Sequence, residues 1–208
     1  MVLRRVPQQL RAKRTRRLLL EAARRVFAER GWANATVDDV ALAAGCSKGA
    51  YYFHFTSKEE ILLALVEEWV RTRTRRLQEA LDGDRRPTAS LITLLETLLS
   101  PETTGGREAR LLMELWSQAE RNPKVRRRLA RAYRSWRDLL VRAFARAQEA
   151  GVSASAATPE EAAAAALALH DGLVAGACLR LSPGALAPGR TSAALALLVG
   201  HRALRAAG

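Results

Sequence analysis

The chain is short of several residue types. Two of its 208 residues are cysteine, Cys46 and Cys178. They have no CxxC spacing, which excludes a disulfide framework and a cysteine-based zinc site and makes a reducing cytoplasm the simplest home. The three histidines, His54, His170 and His201, lie far apart without metal-ligand spacing. HExxH, P-loop, GxGxxG and GxSxG motifs are all missing, so neither a cofactor nor an enzyme centre is expected. His170 and Asp171 are adjacent, and neighbours on a helix point about 100° apart, so they are not expected to form a catalytic pair readily. The longest apolar tract, Ala162 to Leu181, is interrupted by His170, Asp171 and Arg180 and falls short of a membrane span. The charged N-terminus has no apolar stretch of signal-peptide type behind it. No membrane partner is expected.

What remains is apolar and basic. Hydrophobic residues make up 49% of the chain, so a packed core is within reach. The net charge of +13 and the pI near 11.1 point to a polyanionic partner. Arginines outnumber lysines 30 to 4, a bias of genome composition or heat adaptation without bearing on function. Residues 1–30 carry ten of the basic groups against Glu21 and Glu29 alone. A basic arm, 1–14, therefore leads the molecule.

Nearly every segment between Pro/Gly punctuation has helical spacing and none alternates with period two, which predicts an all-α protein. Thr15 is the expected cap of a first helix with Leu19, Ala22, Ala23, Val26 and Phe27 inward and Gly31 at its end. "TVDD" at Thr36 is a capping-box variant that opens a short second helix closed by Gly45. Ser47 caps a short third helix, and Ser57, with Glu59 and Glu60 after it, starts a long fourth that runs to about Asp82. After "DGDRRP" the predicted helices are 88–100, 107–121, 123–150, 159–181 and 190–206.

Aromatics are only 5% of the chain, yet Tyr51, Tyr52, Phe53, His54 and Phe55 are consecutive. Two short helices joined at Gly45-Cys46 and braced by a longer helix before them make a helix-turn-helix. Its second helix presents Ser47, Lys48, Gly49, Ala50 and Tyr51 to a major groove. Lys48 can donate to guanine, Ala50 can touch a thymine methyl and Gly49 admits close backbone approach. Tyr52 and His54 can donate to phosphates, and the helix starts at Thr36 and Lys58 are further anion sites. Phe53 and Phe55 are expected to pin the third helix to the first and fourth.

From Thr15 to about Trp69 the sequence, with "FAERGWANATVDDVALAAGCSKGAYYFHFTSKEEIL", resembles the DNA-binding domain of the tetracycline-repressor-like (TetR) family of bacterial regulators. The resemblance implies a helix-turn-helix domain over 15–56, a connecting helix over 57–82, and a helical ligand-binding and dimerisation domain over 83–208. It further implies a homodimer on a palindromic double-stranded DNA operator, released by a small-molecule effector through the long fourth helix. Carried over position by position, it gives phosphate contacts to Thr36, Tyr52, His54 and Lys58 and base reading to Lys48, Gly49, Ala50 and Tyr51. The chain departs from the family's usual pattern at Cys46, mostly aliphatic there, and at Tyr51, often Leu.

The resemblance places the dimer interface on the last two helices. The Ala-rich 159–181 segment contains Gly172-x-x-x-Gly176, and 190–206 offers Ala194, Leu197, Leu198 and His201 on one side; small residues let helices approach closely. Candidate pocket linings are Leu94, Leu98, Met113, Trp116, Tyr133, Trp136 and His170, although aromatics at helical spacing usually belong to a core. Two effector chemistries stay open. Trp116 and Trp136 with Glu114 or Asp171 suit a cationic lipophile, while the arginines of 107–146 suit the phosphates of an acyl-CoA. The competing reading is a basic helical protein that binds nucleic acid without sequence preference, which needs Lys/Arg but no shaped reading head. Cys46, beside the DNA-facing helix, is expected to pack rather than to act as a redox switch.

Overall fold

A computed structural model describes residues 8–83, 86–100, 106–151 and 157–180. All regular structure among them is helical. The chain divides into two compact units, Met1–Glu68 and Trp69–Gly208. The expected helix 190–206, with Ala194, Leu197, Leu198 and His201, lies outside the described residues.

The first unit contains α1 (Gln8–Arg30), α2 (Val37–Ala43), α3 (Lys48–His54) and the start of α4 (Lys58–Asp82). Thr15 caps nothing. Helix α1 begins seven residues earlier, because 8–14 hold no Gly or Pro and are rich in straight-chain helix formers, so the second half of the basic arm is the first part of α1, with Arg11, Lys13 and Arg14 exposed. Leu19, Ala22, Ala23, Val26 and Phe27 form its buried stripe, and Gly31, at φ 76°, ends it as predicted. Thr36 and Asp39 form a complete capping box. The Asp39 carboxylate accepts from the Thr36 N–H at 2.9 Å and the Thr36 hydroxyl accepts from the Asp39 N–H at 3.1 Å.

The turn between α2 and α3 is closed by paired backbone bonds, Cys46 N–H to Ala41 O at 2.9 Å and Gly45 N–H to Leu42 O at 3.0 Å. This is the Schellman arrangement, which needs a left-handed residue, and Gly45 sits at φ 64°. Arg25 of α1 ties the same end of α2 down by donating to Ala43 O at 2.9 Å.

The second unit contains the rest of α4, then α5 (Pro87–Leu99), α6 (Gly106–Arg121), α7 (Pro123–Glu149) and α8 (Pro159–Leu179). These match the expected helices to within two residues at each end, because Pro87, Pro123 and Pro159 occupy first-turn positions where a missing N–H costs nothing. Asn122 caps α7, and Thr158 with Glu161 caps α8. Helix α7 is the hub and touches α5, α6 and α8. Its face of Val125, Leu129, Trp136, Leu140, Phe144 and Ala147 is buried. Helix α8 is apolar and long enough to cross a membrane by length and composition. It nonetheless buries His170 and holds Asp171 in hydrogen bonds to its own unit.

A β-carbon at Gly45 would meet no atom within 4 Å, so any penalty there comes from the backbone alone. Gly45→Ala is expected to lower the unfolding free energy by about 1–2 kcal/mol, the cost of a left-handed alanine, with Gly45→Asn milder. Urea titration measures it; an alanine variant as stable as the parent would contradict the turn.

Candidate nucleic-acid interface and buried polar cluster

Helix α3 has seven residues and two faces. Ser47 caps it by accepting from the Ala50 N–H at 3.1 Å. Positions 51 and 55 point inward, where Tyr51 and Phe55 are 0% and 1% exposed, with ring centroids 5.9 Å apart. The opposite face leaves Ser47, Lys48, Gly49, Tyr52 and Phe53 in solvent, with Ala50 and His54 half-buried at its edges.

Tyr51 is not among the groups that can read bases. Its ring fills the space behind α3, and its hydroxyl donates to Ser57 O at 3.1 Å. Burial pushes its phenol well above the usual range. The departure from Leu at this position thus falls in the packing behind α3 and not on its exposed face. Phe53, expected to help pin α3 to its neighbours, does not do so. It is 75% exposed and stacks edge-on against His54 at 5.0 Å, so of the two phenylalanines it is Phe55 that is buried, beside Tyr51, with the Arg16 guanidinium of α1 5.3 Å from its ring.

Lys48 reaches from the exposed face to Asp38 of α2 at 3.0 Å, and that carboxylate raises its pKa. The ammonium is charged and stays at the edge of the face. Burial, then the charge of Arg16, lowers the His54 pKa, so His54 offers a neutral N–H at physiological pH. Tyr52 is 48% exposed, with a ring edge packed on Tyr51 at 5.5 Å.

Lys58 is more committed than an anion site needs to be. Its ammonium donates to the carbonyls of Trp32 at 2.7 Å, Ala35 at 2.9 Å and Ala33 at 3.4 Å, and lies 4.2 Å from the Trp32 ring centroid. In the free protein it braces the α1–α2 loop from the first turn of α4. That turn is capped by Ser57, which accepts from the Glu60 N–H, while the Glu60 carboxylate accepts from Thr56 N–H and hydroxyl. Those two bonds hold the Glu60 carboxyl below its ordinary range.

In the second unit, Leu94, Leu98, Trp136 and His170 are buried together, with Trp116 and Tyr133 half-buried. Met113 is 37% exposed and does not line the interior, because it follows the buried pair Leu111 and Leu112 onto the outer side of α6. His170 and Asp171 are hydrogen-bonded to each other, with Nδ1 2.8 Å from Oδ1. Asp171 is bent toward the interior by a second donor, the Tyr133 hydroxyl at 2.9 Å. Tyr133 in turn accepts from Trp116, and Trp136 Nε1 donates to Thr74 at 2.8 Å.

The residue the sequence reading missed is Arg73. It is 6% exposed, lies 2.6 Å from His170 Nε2 and donates to Leu98 O at 3.3 Å. Its Cζ is 5.6 Å from the Trp69 ring centroid and 5.3 Å from that of Trp136. The signal was present: Arg73 stands between Trp69 and Leu77 at four-residue steps, inside the apolar stripe of α4. Gly172 and Gly176 lie on α8, where a β-carbon would meet no described atom within 4 Å. Ala164, Ala165, Ala168, Gly172 and Leu179 form an exposed apolar stripe along the same helix.

Comparison with known proteins gives two family matches. Residues 19–65 match the bacterial regulatory proteins of the tetR family, and residues 87–205 match the C-terminal region of BetI-type transcriptional repressors. The chain is 25% identical over 143 residues, 69% of its length and 71% of the relative's, to the transcriptional regulator UidR of Escherichia coli K12. It is 45% identical over 56 residues, 27% of each chain, to TtgR of Pseudomonas putida. Among solved structures it resembles a transcriptional regulator from Saccharomonospora viridis in complex with choline (TM-score 0.76, 27% identity, covering 89% of this chain and 95% of that one). It shares its fold with FadR from Bacillus subtilis in complex with stearoyl-CoA (TM-score 0.73, 20% identity, covering 88% and 98%).

Lys58→Met keeps the stem on Trp32 and deletes the three donors. In the absence of DNA it is expected to destabilise the protein by about 1–2 kcal/mol, since partly buried carbonyls lose a charged partner. Thermal unfolding measures this, and an unchanged midpoint would remove the brace.

Proposed function

Because the chain belongs to the TetR family of bacterial transcriptional regulators, we propose that it is a repressor that holds a palindromic operator as a homodimer and releases it when a small-molecule effector enters the second unit. The observation that carries the first half is the two-faced α3: Tyr51 and Phe55 are buried, and the opposite face of Ser47, Lys48, Gly49 and Tyr52 is open.

In this reading Lys48 leaves Asp38 and donates to a guanine edge, Gly49 lets the backbone close on the groove, and Ala50 meets a thymine methyl. Thr36, Tyr52 and His54 take phosphates, and Lys58 exchanges one loop carbonyl for a phosphate oxygen. The exposed basic residues at the start of α1 add sequence-independent attraction. Two such heads, about 34 Å apart or a multiple of that, meet successive major grooves on one side of the duplex.

The exposed small-residue stripe on α8 supports pairing of two chains there, where Gly172 and Gly176 allow close approach. The buried polar cluster supports a ligand-responsive second unit, and the choline complex of the S. viridis relative is in keeping with one. The effector is an acyl-CoA or another lipophilic compound. It acts only by its difference in affinity between two dimer geometries, typically about 1–3 kcal/mol. The rival, sequence-blind nucleic-acid binding, has no use for a shaped and capped α3. Equal affinity for operator and random DNA would favour it.

Lys48→Ala is expected to cut the preference for one base position by about tenfold, the worth of one good base contact, while leaving affinity for random DNA nearly unchanged. A binding-site selection compared with the parent reads this out, and an unaltered preference would remove Lys48 from the reading set. Gly172→Leu with Gly176→Leu fills space that is open within one chain, so the monomer should fold while sedimentation shows the dimer lost. A persisting dimer would place the interface elsewhere.

A further inference from the structure

The guanidinium of Arg73 is buried and mostly unused. An arginine has five N–H donors, and here only Nη2 is engaged, by His170 Nε2 and Leu98 O. Its Nε is fully buried with no acceptor among the described residues. Burying a guanidinium is costly unless a carboxylate and further hydrogen bonds compensate it, and among the described residues no carboxylate touches this one. Asp171 is the nearest in the hydrogen-bonded chain, but the His170 ring stands between them, and Asp171 Oδ1 is already taken by His170 and Tyr133. Glu108 and Asp171 attract Arg73 at longer range and Arg76 opposes it. Burial lowers the Arg73 pKa to about 10, which leaves it charged at neutral pH. Among the described residues this charge has no direct counter-ion.

We propose that Arg73 is a carboxylate receptor: the effector is an organic monoanion whose carboxylate docks on the free donors of this guanidinium while its apolar part packs against Trp69 and Trp136. The inference rests on the effector-responsive reading above and, of the two effector classes named there, takes the lipophilic compound rather than the acyl-CoA.

The surroundings fit a carboxylate and oppose a cation. The indoles of Trp69 and Trp136 flank Arg73, and a guanidinium recognises a carboxylate with its N–H edge, in two parallel bonds. The Trp136 ring that a quaternary ammonium would use already lies against a positive charge of the protein itself. A carboxylate accepts hydrogen bonds more strongly than the neutral imidazole now on Nη2, so its arrival competes with His170 for Arg73. That competition links the ligand to α8.

The test uses the full chain and charge-matched probes: decanoate and decanamide, phenylacetate and phenylacetamide, and choline. The carboxylates are expected to raise the melting temperature and to bind by calorimetry, as ligands of the folded state do. They should also shift the 15N resonance of the Arg73 Nε–H in the wild type, a readout that needs no variant. Arg73→Met should weaken carboxylate binding by about tenfold or more, the worth of a charged hydrogen bond, and leave the amides unaffected. Arg73→Lys, which keeps the charge but not the fork, should fall between. Amides or choline binding the wild type as tightly as the carboxylates, or an unmoved Nε–H resonance with decanoate bound, overturns the inference and leaves the effector reading standing. A protein that none of these probes stabilises counts against both.

Discussion

The hydrogen bond from the Tyr51 hydroxyl to Ser57 O does more than satisfy a buried phenol. Tyr51 leaves α3 on its inward side, and Ser57 is the cap of α4, so a single side chain sets the spacing between the reading helix and the next. With Tyr51 inside, the helical repeat turns Lys48, Gly49, Tyr52 and Phe53 outward together. Replacing the phenol by something unable to reach Ser57 would leave α3 held by Phe55, the Gly45 turn and its Ser47 cap. Seven residues are too few to stay helical by propensity alone, and the open face exists because the closed one is packed.

The second unit is organised around a different constraint, a positive charge where apolar contacts would otherwise suffice. Trp69, Trp136 and Tyr133 lie close together, with centroids 5.3 and 5.2 Å apart across the two pairs, and Arg73 lies against two of them. The chain from Arg73 through His170 and Asp171 to Tyr133 spans α4, α8 and α7. Each link is a short polar contact in a poorly solvated interior, where such contacts are strong if complete and costly if not. Both His170 and Arg73 have pKa values lowered chiefly by burial. The network thus combines a neutral imidazole with a charged guanidinium, an arrangement sensitive to any group that offers Arg73 a better acceptor.

Much of this was legible in the residues. Capping patterns at Thr36, Ser47 and Ser57, the glycines at 31 and 45, and the prolines that open α5, α7 and α8 depend on local backbone chemistry, and they placed the helices to within two residues apart from the start of α1. That start was misplaced because Thr15 looked like a cap when nothing before it, from Gln8 on, obliges the helix to begin there. The side on which Tyr51 and Phe53 fall was not legible either. Both are aromatic and neighbours, and only the position of Ser57 in space decides which one is enclosed. Arg73 was passed over for a related reason: an arginine in an apolar stripe is usually extended toward water, and its retention inside requires partners, His170 and Leu98 O, that lie 97 and 25 positions away. The His170–Asp171 pair needed Tyr133 as third member.

The scarcity of lysine gives the head an unusual chemical address. Of the four amines along the chain, Lys58 is tethered to loop carbonyls, whereas Lys13, Lys48 and Lys124 stand in solvent. Lys48 is the one on the exposed face of α3. Acylation there, by an enzyme or by a laboratory reagent, removes the positive charge and a donor at one stroke, and Asp38 loses its ion-pair partner. In a chain whose other cations are nearly all guanidiniums, inert to such reagents, amine chemistry would alter the exposed face of α3 while leaving most of the chain's positive charge intact.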